Sequence, residues 1–181
     1  MIVRSATVED AEGIARAHVD AWRTTYGGIL PAAFLAALSV ERRAEMWRRA
    51  AALSGQAGRS LTVAEEAGRI VGFSAGGPTQ DPDPVYTGEL YAIYILESHQ
   101  RRGIGRRLVA PVAAALAAGG HSTMLLWVLA ANAGARRFYE SLGGRAAREQ
   151  RTDIGGIAYP EVGYGWDDLP ALIRRLTAAA G

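Results

Sequence analysis

Apolar and polar residues alternate along this chain with two different periods, and each change of period marks an element. Ile2 to Ala6 reads as a short strand. Thr7 with Asp10 three residues later forms a variant of the capping-box signal, predicting a helix from there to about Trp22. Gly27-Gly28 breaks it and Pro31 opens a new helical segment. Val40, Ala44, Trp47 and Ala51 then fall at helical spacing within Val40 to Leu53. From Ser60 the period shortens: Leu61 and Val63, then Ile70, Val71 and Phe73, flank Glu66-Ala67-Gly68-Arg69 as two strands flank a tight turn. Asp81-Pro82-Asp83-Pro84 is a loop, followed by a long strand over Val85 to Leu96. Gly103 to Ala118 predicts a helix stopped by Gly119-Gly120, with Pro111 inside it at a position that ends or bends a helix. Met124 to Leu129 is an apolar run of strand length, and helix followed by strand points to a parallel crossover. A short helix over Ala133 to Leu142 is closed by Gly143-Gly144. Two strands follow, Arg145 to Asp153 and Ile157 to Trp166, and then a terminal helix, Leu169 to Leu176. With no internal repeat and no linker, residues 1–181 read as one α/β domain.

Composition narrows the class. A chain of 181 residues, 49% apolar and 21% charged, has ordinary globular usage and suits a single core. Its longest apolar run, Leu108 to Ala118, falls well short of the roughly 20 residues that span a bilayer. The N-terminal residues lack the pattern of a secretory signal, so a cytoplasmic protein without membrane partners is expected. The absence of cysteine removes disulfides, thiolate metal sites and an acyl-cysteine intermediate. His18, His99 and His121 are dispersed, none with a second ligand at helical spacing, so no metal is expected. All twenty basic residues are arginine. A net charge of +2 gives no general case for nucleic acid, although Arg101, Arg102, Arg106 and Arg107 cluster.

That cluster belongs to the most informative segment, Gln100-Arg101-Arg102-Gly103-Ile104-Gly105-Arg106, where an apolar strand ends and a helix begins. A helix start exposes unpaired N–H groups and partial positive charge, glycines allow close approach, and arginines add ionic contacts. Together these suit a pyrophosphate. The spacing completes neither the dinucleotide Gly-x-Gly-x-x-Gly pattern nor a P-loop. An ordinary helix N-terminus with exposed arginines is the plain alternative.

Strand, Gln-x-x-Gly-x-Gly and helix together resemble the acetyl-CoA-binding motif of the GNAT superfamily of N-acetyltransferases. Downstream, Asn132 to Gly143 resembles that family's Asn-x-x-x-x-x-Phe-Tyr-x-x-x-Gly segment through Asn132, Phe138, Tyr139 and Gly143. The resemblance spans nearly the whole chain. It implies a mixed, strongly twisted central sheet of six to seven strands, with helices on both faces and the fourth and fifth strands splayed. It implies that the amides of Arg101 to Arg106 hold the coenzyme A pyrophosphate, and that Ile93, Tyr94 and Ile95 pair with pantetheine and polarise the thioester. Asn132 would hydrogen-bond the same arm, and Tyr139 would protonate the leaving thiolate. Glu89, eleven residues before Gln100, occupies the place of a base in members that use one. Trp22 and Tyr26, with Phe34 beside them, would lie near the acceptor, and Trp22 to Pro31 resembles a widespread bacterial subgroup. Of the last strands, either Tyr159 and Glu161 or Tyr164 and Trp166 would face the cleft.

The implied chemistry needs a base, because an alkylamine near pKa 10.4 is about 99.9% protonated at pH 7 and its deprotonation costs roughly 4 to 5 kcal/mol. The expected reaction is direct acetyl transfer to a primary amine, on a small molecule or a protein N-terminus. A noncatalytic acyl-CoA-binding module and an arginine-driven nucleic-acid binder are the competing classes. A homodimer fits family habit, with the terminal helix either its interface or a cap on the sheet.

Overall fold

A computed structural model describes residues 1–178. One seven-stranded mixed sheet runs in the order β1-β2-β3-β4-β5-β7-β6. Strand β1 (Ile2–Ser5) lies antiparallel to β2 (Ser60–Glu66), and β2 turns through Ala67 and Gly68, both at positive φ, into β3 (Arg69–Pro78). That paired left-handed conformation matches the twist of a two-residue hairpin. Strand β4 (Gly88–Ile95) follows antiparallel, β5 (Met124–Leu129) lies parallel to β4, and the hairpin of β6 (Arg145–Ile154) and β7 (Ile157–Trp166) joins through β7. Residues Val85 to Thr87, expected in the fourth strand, belong instead to the connection before it.

Helices α1 (Ala11–Thr25) and α3 (Val40–Ala52) cover one face of β2 to β4, with the one-turn α2 (Ala32–Ala36) between them. The sequence places Thr7 and Asp10 one turn ahead of α1, where the Thr7 N–H donates to Asp10 Oδ2 at 2.8 Å. Ser39 caps α3, its Oγ accepting from the Arg42 N–H at 3.1 Å. Behind this layer His18 is buried. Its Nδ1 accepts from Trp47 Nε1 at 3.0 Å, which leaves the proton on Nε2, and its ring stacks on Tyr94 with centroids 5.0 Å apart. Burial, with Arg43 adding to it, pushes His18 down to about 3, so it packs as a neutral ring.

Helix α4 (Ile104–Ala118) covers the other face, joined to β3 where Ser74 Oγ donates to the Leu108 carbonyl at 2.8 Å. Pro111 does not end it. The buried neighbours Leu108, Val109, Val112 and Ala113 hold the helix on the sheet across the missing hydrogen bond. Helices α5 (Ala133–Ser141) and α6 (Leu169–Ala178) complete that side, and α6 buries Leu169, Leu172 and Leu176 in the same cluster as α4, as a cap. No helix among the described residues is long and apolar enough to cross a membrane.

Strands β4 and β5 pair only at Gly88 with Met124 and Glu89 with Leu125. Directly beyond, Ala75 faces Ala92 and Gly76 faces Leu90, leaving Tyr91 unopposed as a bulge that bends β4. From there the two strands part.

Candidate active site

The parting strands open a cleft of about 660 Å³ whose walls are β4, β5, the start of α4 and the inner side of α5. From Leu90 to Ile95, β4 is bonded to β3 on one side and has no strand on the other, so its edge amides and carbonyls face the opening. Ile93, Tyr94 and Ile95 line it, as do Gln100, Arg101 and Gly103 from the loop, Ile104, Gly105 and Arg106 from the first turn of α4, Asn132 at the cap of α5, Tyr139 from α5, and Tyr26 at the end of α1.

The loop is shaped for an anion. Arg101 (φ 59°) and Gly103 (φ 76°) both adopt left-handed backbone, turning the chain sharply into the first turn of α4, whose N–H groups lack helical partners. A Cβ on Gly103 would meet nothing within 4 Å, so this glycine is required by its conformation and leaves open space in front of the helix. A Cβ on Gly105 would lie 2.8 Å from the Phe138 ring, so that glycine admits α5 against α4. Gln100 Nε2 donates to the Ile95 carbonyl at 3.1 Å, fixing the loop to the strand end. Arg102 turns away from the cleft and pairs with Glu66 at 3.1 Å. Arg137, which no motif position singled out, lines the cleft from α5.

Asn132 caps α5, its Oδ1 accepting from the Ala135 N–H at 3.1 Å, and lines the cleft. Tyr139 is 7% exposed, packed beside Phe138, Tyr164 and Trp166. Burial, with Tyr26 nearby, raises its phenol well above the tyrosine range and keeps the proton on. The Tyr26 and Tyr94 hydroxyls approach to 3.5 Å, and burial raises both. Trp22 packs behind this pair, against His18, Tyr26, Phe34 and Tyr94, with its buried Nε1 unpartnered and Arg43 over its ring at 5.5 Å. Trp22 thus backs the wall, whereas Tyr26 forms it.

Glu89 sits one step below the splay, 8% exposed, its Oε2 accepting from the Gln80 N–H at 3.0 Å. Alternation turns it away from α4, to the sheet face that also carries Trp127, Leu129, Glu161 and Gly163. Tyr164 and Trp166 are consumed in the core beside α4 and α6, so Tyr159 and Glu161 are the pair on the open face. Burial and the charge of Glu89 raise Glu161 above the usual carboxylate range, with Gln150 partly offsetting this through a 3.0 Å hydrogen bond. Tyr26, Leu30, Leu35 and Leu129 close the upper end, where the ring of Phe34 fills the space a Cβ on Gly155 would need. Among the described residues no group of three or more His, Cys, Asp or Glu is placed to hold a metal.

A splayed parallel pair, an anion-ready helix start and a buried phenol between them define the cleft of an acyltransferase. The acetyltransferase (GNAT) family model matches residues 19–144. The chain is similar to the "Uncharacterized N-acetyltransferase YuaI" of Bacillus subtilis, 39% identical over 170 residues, 94% of this chain and 95% of that one. It is 30% identical to the "Probable N-acetyltransferase Rv2775" of Mycobacterium tuberculosis, over 90% of this chain and 91% of the other. Among solved structures, yncA of Salmonella typhimurium with its cofactor acetyl-CoA superposes with a TM-score of 0.70 at 21% identity, covering 93% of this chain and 94% of that one. The paia N-acetyltransferase of Thermoplasma acidophilum in complex with coenzyme A gives 0.70 at 18%, covering 91% and 98%. The chain belongs to the GNAT acetyltransferase family and is an acyltransferase of that class.

Proposed function

We propose that the protein transfers an acetyl group from acetyl-CoA directly to a primary amine, in a complex that holds both substrates. The observation that carries this reading is the opening of β4 from β5 immediately above Glu89, with a loop of left-handed residues and free helix amides at one end and Tyr139 within. The pyrophosphate occupies the open space before Gly103, with Arg101 and Arg106 beside it. Pantetheine completes the β4 edge at Ile93 to Ile95 and meets the Asn132 amide, and an edge N–H polarises the thioester carbonyl. The acceptor enters from the opposite face, past Tyr26. Glu89 takes its proton, directly or through water, and Tyr139, protonated across the working pH range, donates a hydrogen bond to the departing sulfur.

Glu161 and Glu89, carboxylates on one face with Trp127 between their rows, suit an acceptor that arrives as a cation. A small amine and a protein N-terminus both satisfy this. A cytoplasmic setting is part of the same reading.

Two variants test the roles. Glu89→Gln lowers turnover about 10²- to 10⁴-fold, the usual worth of a general base, with the deficit shrinking as pH rises toward the amine's own pKa. Tyr139→Phe lowers turnover with acetyl-CoA affinity retained. Wild-type turnover in both variants removes these assignments.

A further inference from the structure

Glu89 is held by an unusual route. Its carboxylate rests on the backbone of the β3–β4 connection, through Gln80 N–H at 3.0 Å, with the Thr79 hydroxyl and the Gln80 side chain each at 3.5 Å. That connection, residues 79–87, does more than join the two strands. It crosses the sheet face and fastens on the far side of the cleft.

The Thr123 hydroxyl holds the end of the connection, accepting from the Thr87 N–H at 3.1 Å and donating to the Val85 carbonyl at 2.7 Å, and the fastening beyond β5 has two further parts. Asp83 accepts from Arg148 of β6 through both oxygens, at 3.0 and 3.2 Å, and also from the Val85 and Tyr86 N–H groups at 2.8 and 2.9 Å, so one carboxylate fixes the loop's shape and its anchorage together. Tyr86, 5% exposed, donates from its hydroxyl to Asp167 Oδ1 at 2.8 Å, with the Arg148 guanidinium 5.2 Å above its ring. The ring lies where a Cβ on Gly165 would come within 2.3 Å of it. Gly165 faces Leu125, which faces Glu89, so Glu89 and the seat of Tyr86 stand in one row across β4, β5 and β7.

We propose that this connection is a strap that positions Glu89, buckled by the Asp83–Arg148 pair and by Tyr86 seated on Gly165. It rests on the reading of Glu89 as the group that serves the acceptor. Asp83, Tyr86, Arg148 and Gly165 touch neither substrate in that reading. They act through Gln80, tying the β4 side of the sheet to the β6–β7 side beyond the two residue pairs that join β4 to β5.

The test uses two variants that open different parts of the buckle. Arg148→Met keeps the aliphatic stem and removes the bidentate pair; Gly165→Ala displaces the Tyr86 ring. The first readout is backbone hydrogen exchange. In both variants the Gln80 amide exchanges about tenfold faster or more, while the amides of β2, β3 and β7 keep their protection. An unchanged Gln80 amide in both variants overturns the strap. The second is thiol release from acetyl-CoA, measured with whichever of tyramine, spermidine and an alanine-terminated tripeptide the protein acetylates. Each variant lowers kcat about 10- to 100-fold, the cost of a displacement near 1 Å, with acetyl-CoA affinity unchanged. Combining Arg148→Met with Glu89→Gln adds no further loss. A full Arg148→Met loss that persists in the Glu89→Gln background overturns action through Glu89. Wild-type turnover in Glu89→Gln alone removes the role of Glu89 itself, a result distinct from wild-type turnover in Arg148→Met with a slow Glu89→Gln.

Discussion

Gly103, ending the loop, and Gly105, in the first turn of α4, stand two residues apart and answer different demands. The first is needed for a left-handed turn that faces open space, the second for the ring of Phe138. Their alanine variants therefore separate. In Gly103→Ala the loop, which faces open space, relaxes out of the left-handed conformation, so Tm changes little; acetyl-CoA must restore that conformation at about 1–2 kcal/mol, and its binding by calorimetry weakens by up to about tenfold. Gly105→Ala pushes α5 from α4, an overpacking cost of about 1–3 kcal/mol that lowers Tm directly. Equal effects of the two on Tm would contradict the division. At this scale the sequence displayed the glycines and not their reasons: two glycines of the same motif read alike until Phe138 is seen beside one of them. Arg102 is a similar case. Its place in the motif suggested an anion ligand, and only the return of β2 brings Glu66 to pair with it.

Among the elements, α4 carries the cofactor loop at its start and a proline in its middle. The local rule ends or bends a helix at Pro111, yet α4 runs through to Ala118 because its flanking residues are buried on both sides of that point. Pro111→Ala should restore a hydrogen bond to the Arg107 carbonyl and raise stability by about 1–3 kcal/mol in urea titrations, leaving the loop and acetyl-CoA affinity as they are. A loss of stability would show that the proline is built into the packing. The remaining elements were legible from period and punctuation, as Met124 to Leu129 and the hairpin at Ala67-Gly68 illustrate. The connection before β4 was not. Val85, Tyr86 and Thr87 have strand character; Asp83 close by turns the chain out of the strand, and two partners, Arg148 and Asp167, receive it. Those partners lie dozens of residues away, and no local pattern encodes them.

For the whole molecule, the sheet is two halves joined at a two-residue parallel pairing, and in the proposed reaction the substrates enter from opposite faces. The motifs named almost every residue that lines the end of the cleft proposed for the coenzyme, since that end is built where a strand ends and a helix starts. The acceptor half depends on which face β7 turns outward. That is fixed by Val162, Tyr164 and Trp166 burying themselves beside α4, α5 and α6, which turns Glu161 and Gly163 to the open side. Alternation alone left both faces possible. Trp22 shows the same limit: aromatic and expected near the acceptor, it lies behind Tyr26, packed against His18 and Tyr94.

The most direct measurement is calorimetric titration of the protein with acetyl-CoA and with desulfo-CoA, followed in the same samples by thiol release against an amine panel. The account predicts saturable binding of both ligands and amine-dependent thiol release with acetyl-CoA. Binding without release from any amine would leave a coenzyme-binding module, and absence of binding would contradict the cleft between β4 and β5 as a coenzyme A site.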